Sequence, residues 1–207
     1  MANLFRPVGL KELELIWNLE FRGFPPRLEH QSFFYPVLNI EYAREIATKW
    51  NVADEASGFS GYVTRFAVRD DYLASLERRV VGASTHQEYW VPAERLPEFN
   101  DAIVGTVAID EAFFGPKFIG CVPDKFGLTG MDAERQFVTL AKTWPYSLMD
   151  FAYEAATNAR AIYINSWFWV QHDFTGAGVS EQEKTQTLTK LREAWECHKF
   201  DVPLPWA

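Results

Sequence analysis

Apolar residues recur in the first half of the chain with two different periods. Leu10, Leu13, Ile16 and Trp17 fall on one helical face, with Lys11, Glu12 and Glu14 off it. Ile40, Ala43, Ile46, Ala47 and Trp50 repeat that spacing behind Asn39, a residue type whose side chain caps a helix start. Elsewhere the apolar runs are short. Leu4 to Val8 ends at Gly9, and Gly23 with Pro25 and Pro26 forces a loop. Ser32 to Leu38 is an aromatic-rich run of buried-strand type. Gly58 to Gly61 makes a turn, after which Tyr62, Thr64, Phe66 and Val68 share one strand face while Arg65 points the other way. Arg79 to Val81, Glu88 to Pro92 and Val104 to Ile109 read as further strands, with a loop from Gly82 through Ser84 to His86.

After Gly120 the period is helical throughout. Thr129 with Asp132, and Ser180 with Glu183, have capping-box spacing. Phe137, Leu140, Ala141 and Trp144 follow the first of these boxes. Pro145 suits the first turn of another helix, whose stripe is Met149, Ala152, Tyr153, Ala156, Tyr163 and Trp167. Leu188, Leu191, Trp195 and His198 line a last helix. The expectation is an α+β fold, with an α+β domain at 1–115 and a helical C-terminal region at 116–207 packed on it, the seam lying between Gly115 and Gly130.

Composition narrows the class. With 48% hydrophobic and 16% aromatic residues, the 207-residue chain carries too much apolar surface to stay unfolded in water. Cys121 and Cys197 are the two cysteines and have no CxxC spacing, which argues against a disulfide framework or a thiolate zinc site and reads as two separate buried thiols. No apolar run approaches the roughly 18 residues of a membrane span, and the N-terminus lacks a signal-peptide core, so the expected location is cytoplasmic with no membrane partner. The net charge of −8 is spread over both halves without a Lys/Arg cluster, which disfavours an extended surface for duplex nucleic acid.

Three features of the first half have chemistry in them. Arg6, before a proline in the first strand, presents a guanidinium fork that matches diphosphate oxygens. Tyr35, in an apolar strand, offers a face to a flat heteroaromatic ring. Glu88 precedes Tyr89-Trp90-Val91 in a half-buried strand, where a carboxylate either faces solvent or serves a site. Each also has an ordinary reading: a surface ion pair, a core aromatic, a solvated carboxylate. His86 and Glu88 alternate as two metal ligands would, but without a third at suitable spacing no metal is expected. His172-Asp173 reads as a helix-end pair, and no Gly-x-Ser-x-Gly, phosphate-loop or dinucleotide glycine fingerprint occurs.

The phrases Leu-Phe-Arg-Pro-Val-Gly, Phe-Tyr-Pro-Val-Leu-Asn-Ile-Glu-Tyr-Ala and His-Gln-Glu-Tyr-Trp-Val-Pro-Ala-Glu, in this order over about residues 3–110, resemble the ADP-ribosyltransferase fold and small bacterial proteins assigned to the ADP-ribosylating group. That resemblance implies a split antiparallel or mixed sheet with a helical C-terminal extension. It implies NAD as substrate, with Arg6 contacting the dinucleotide, Tyr35 on the nicotinamide and Glu88 holding the ribose hydroxyl as the catalytic carboxylate. Arginine-modifying members carry Gln or Glu two residues before that Glu, where His86 stands here as the candidate for positioning an acceptor. The acceptor, protein or nucleic acid, is left open, as is water, which would make the chain an NAD glycohydrolase. The rival expectation is a non-catalytic nucleotide- or protein-binding module.

Overall fold

The structure, a computed structural model, describes residues 1–83, 85–198, 200 and 202–206; Ser84, expected in the loop before His86, lies outside them. The chain forms two compact units, Met1–Phe118 and Ile119–Ala207, and the fold is α+β with two small antiparallel sheets.

In the first unit, β1 (Ala2–Val8), β3 (Ser60–Val68) and β6 (Ile103–Phe114) make one sheet in the order β1-β3-β6. β2 (Phe33–Phe34), β5 (Gln87–Pro92) and β4 (Glu77–Val80) make the other in the order β2-β5-β4. Every described strand pairing is antiparallel, so the mixed alternative is not seen. The central strand β3 is buried at Tyr62, Val63, Thr64, Phe66 and Val68, while Arg65 emerges to pair with Asp110 at 2.8 Å. β6 is longer than its apolar core predicts. One register shift against β3 falls at Asp110, between Ile109 and Glu111, and a second between Val104 and Ala108.

Helix α1 (Leu10–Asn18) buries Leu10, Leu13 and Ile16, the face its spacing predicts. In α2 (Ile40–Lys49) the Asn39 side chain accepts the Tyr42 N–H at 2.8 Å, the expected cap. α2 buries Ala43 and Ala47 against Val37 and Val63. Gly61 lets it approach: a Cβ there would lie 2.6 Å from the Ala47 carbonyl oxygen. Trp50, expected on this face, is 54% exposed because the helix ends before it. A second core gathers Phe24, Phe34, Phe66 and Phe99, with ring centroids 4.8 to 6.0 Å apart. Two short helices, α3 (Asp70–Leu73) and α4 (Leu96–Asp101), carry too little periodicity to have been expected. The Ser32 to Leu38 strand shrinks to β2 plus two isolated bridges at Val37, one to Phe5 and one to Glu88, since Pro36 has no N–H to give a ladder.

The second unit holds α5 (Ala133–Thr143), α6 (Leu148–Thr157), α7 (Ala159–Trp169) and α8 (Glu181–Cys197). Ser180 and Glu183 close the expected capping box. Thr129 and Asp132 do not: Asp132 caps α5 alone, accepting the Arg135 N–H, and the Thr129 hydroxyl donates to the Phe126 carbonyl. Pro145 stands outside α6, whose N-cap is Ser147. The expected long helix breaks at Asn158 into α6 and α7, and α6 buries Phe151 and Ala155 rather than the predicted stripe, so Met149 and Tyr153 are exposed. Cys121 is buried, but Cys197 is exposed, which corrects the expectation of two buried thiols. No helix among the described residues is long and apolar enough to cross a membrane.

Candidate functional site

The two sheets of the first unit meet at Val37. On one side Val37 exchanges backbone hydrogen bonds with Phe5 of β1, at 2.8 and 2.9 Å. On the other it lies opposite Glu88 of β5, flanked by the bonds Leu38 N–H to Gln87 O and Tyr89 N–H to Pro36 O, both 2.9 Å. Arg6 follows Phe5, Tyr35 lies two residues before Val37, and Glu88 faces it. One bridging residue thus brings together three residues that are far apart in the chain.

Arg6, Tyr35 and Glu88 line a single cleft of about 460 Å³, together with Arg27, Tyr42 and Trp90. That volume is within the range of small-molecule sites. A second cleft of about 490 Å³ shares Gly9, Glu12, Arg27, Gln31 and Ser57 with the first and extends to Lys11 and Asp54. Gly9 is a glycine because Ser57 passes so near: a Cβ would fall 2.6 Å from the Ser57 Cα.

Charge is concentrated where the clefts share walls. Arg6 grips Glu12 with both arms of its fork, Nε to Oε1 at 2.8 Å and NH2 to Oε2 at 3.1 Å. Its NH1 donates to the Tyr35 carbonyl at 3.4 Å, and the guanidinium lies over Phe34, 4.6 Å from the ring centroid. Arg27 reaches the same carboxylate only at 3.5 Å through NH1, and its buried Nε has no hydrogen-bond partner. Burial, and then the Arg6 charge, hold Arg27 below its ordinary pKa, with Glu12 pulling part of the way back.

At the other end, Glu88 is 7% exposed and belongs to no ion pair among the described residues. The Trp90 indole N–H donates to its Oε1 at 2.7 Å. Trp90 also meets Tyr35 edge-on, with centroids 5.3 Å apart, and carries Arg79 on its face at 3.8 Å. Burial, then the carboxylates of Glu88 and Glu45, push the Tyr42 phenol above its ordinary range. A ring and a carboxylate therefore stand at one end of the cleft, and paired guanidiniums at the other.

His86 does not line this cleft. Its Nε2 lies 3.1 Å from Glu45 Oε2 and its ring stacks on Tyr42, with centroids 4.1 Å apart and planes 7° from parallel. The imidazole meets the cleft lining at Tyr42. No group of three His, Cys, Asp or Glu side chains suited to a metal occurs among the described residues.

Arg27, Glu12, Tyr42 and Trp90 join the site without having been candidates. Arg27 had one local signal, its place directly after Pro25 and Pro26, which fix the chain direction. Glu12 looks like any polar-face residue of α1 until Arg6 is seen beside it. No protein-family model matches the chain, nor does any curated protein or any solved structure.

Proposed function

We propose that this chain binds NAD in the cleft at the junction of the two sheets and breaks its nicotinamide–ribose bond, with the ADP-ribosyltransferase type of split sheet as the scaffold. One observation carries the reading: Arg6, Tyr35 and Glu88, far apart in sequence, line one cleft. Tyr35, held edge-on by Trp90, takes the nicotinamide, and the guanidinium end takes the diphosphate. The glycosidic C–N bond breaks with its electron pair going to the nicotinamide nitrogen, which neutralises the pyridinium and leaves an oxocarbenium-like cation on the ribose. The Glu88 carboxylate, buried and in no ion pair among the described residues, stabilises that cation more than it stabilises the ground state. An acceptor oxygen or nitrogen of a protein or nucleic acid, or water, then attacks the ribosyl carbon and loses its proton. His86 acts as a positioning residue through Tyr42 rather than at the acceptor.

The test is incubation of purified protein with NAD, with free nicotinamide followed by chromatography and transferred ADP-ribose followed by mass spectrometry of a cell lysate. Nicotinamide release dependent on Glu88 supports the reading, and its absence with and without lysate overturns it. The two-armed Arg6–Glu12 pair favours a second reading, a non-catalytic module that holds a nucleotide in the same cleft. That outcome is NAD binding by calorimetry with no nicotinamide released.

A further inference from the structure

Where the two clefts share a wall, Arg27 of that wall and the adjoining Arg6 of the first cleft present more cation than Glu12 satisfies. Glu12 is already held by both arms of Arg6, so Arg27 is left with a 3.5 Å approach to an oxygen that is already bonded. The Arg27 side chain is 10% exposed, and its Nε is buried with no partner. A guanidinium removed from water needs its donors filled, and a lone one in a protein interior is costly. The chain keeps it there, on the wall common to both clefts and against the repulsion of Arg6.

We propose that Arg6 and Arg27 form a seat for the diphosphate of a nucleotide, and that Glu12 holds the seat as an internal carboxylate until the ligand displaces it. The chemistry of the exchange is direct. A carboxylate offers two oxygens and one charge, and the Arg6 fork consumes both oxygens. A diphosphate offers more oxygens and at least two charges, enough to fill both forks at once. The position also fits a dinucleotide, because a group bound at the shared wall sends one arm into each cleft. One arm reaches the Tyr35, Trp90 and Glu88 end, and the other the Lys11 and Asp54 end. Displacement of Glu12 has somewhere to go: its side chain is 20% exposed, and it lies in the first turn of α1, where helix geometry favours a carboxylate even without Arg6. The proposal rests on reading the cleft as a dinucleotide site, but not on bond cleavage.

The experiment is titration calorimetry of the full chain with inorganic pyrophosphate, and with AMP and adenosine for comparison, at two salt concentrations. Pyrophosphate is expected to bind, more weakly at the higher salt, and adenosine far less than either anion. Arg27→Gln should weaken pyrophosphate about tenfold to a hundredfold, and Glu12→Gln should strengthen it by removing the internal competitor. Arg27→Lys keeps the charge without the fork and should fall between wild type and Gln. Wild type that ignores pyrophosphate, Arg27→Gln that binds like wild type, or Glu12→Gln that binds no better would each overturn the seat. Nicotinamide release with no role for Arg27 would sink this proposal and spare the catalytic reading; pyrophosphate binding through Arg27 without NAD turnover would do the reverse.

Discussion

Replacing Glu88 with Gln separates a catalytic carboxylate from a structural one. The substitution keeps shape and keeps an acceptor for the Trp90 indole N–H, which donates to Oε1 at 2.7 Å. Stability has little reason to fall. No ion pair is lost, because Glu88 has none among the described residues, and the desolvation of a charge at a 7% exposed site is relieved. Against that stands one charge-assisted hydrogen bond becoming neutral. The two changes oppose each other and should leave the unfolding free energy within about 1 kcal/mol of wild type. On the proposed mechanism, catalysis has much to lose. A unit charge about 4 Å from a developing cation in a partly screened site interacts by about 4 kcal/mol. Part of that is already present with the positively charged nicotinamide ground state, so about 3 kcal/mol is the reasonable share lost from the barrier, roughly a hundredfold in rate. The assay pairs urea denaturation with nicotinamide release under saturating NAD. A variant as active as wild type refutes the catalytic assignment. A variant that loses more than about 3 kcal/mol of stability refutes the claim that the charge is dispensable to the fold.

In the second unit, Asn165 accepts the Cys121 N–H at 2.8 Å and donates to the Cys121 carbonyl and Gln136 Oε1, each at 2.9 Å. Asn165→Ala orphans the Cys121 N–H and Gln136 Oε1 while the Cys121 carbonyl keeps Gln136 Nε2, so a loss of about 2–5 kcal/mol is expected in denaturant titrations. A loss below about 1 kcal/mol would mean the network relaxes. Acid should destabilise the fold. Glu111 is held low by the Arg44 hydrogen bond and Asp54 by the Ser57 hydroxyl, so each stabilises above its unfolded pKa and ceases to as pH falls through its lowered folded value. Denaturation midpoints followed downward through the carboxylate range should decline, and Glu111→Gln should flatten part of that decline. An unchanged slope in the variant would exclude Glu111 as a contributor.

Local patterns carried the elements that depend on near neighbours. The α1 face, the Asn39 cap, the Ser180–Glu183 box and the buried alternation of β3 all follow from side chains within four residues of one another. Patterns failed where a single local signal competed with distant packing. Met149 and Tyr153 have helical spacing yet face outward, because α6 packs inward on its Phe151 and Ala155 face. Pro36 cut an aromatic run that otherwise reads as a full strand. β6 extends through polar residues because β3, not its own hydrophobicity, holds it.

The candidate site shows the same division. Sequence alone picked out a guanidinium, a phenol and a carboxylate of suitable chemistry, and determined that the chain would be α+β with strands early and helices late. It contained no measure of whether Arg6, Tyr35 and Glu88 would meet, since that depends on Val37 bridging two strands at once. Nor did it tell that Glu12 would share one carboxylate between two arginines, or that His86 would lean on Tyr42 instead of the cleft. Propensity and capping act over one turn of chain. Charge pairing and cleft formation act through space, and only the tertiary contacts bring those groups within reach of one another.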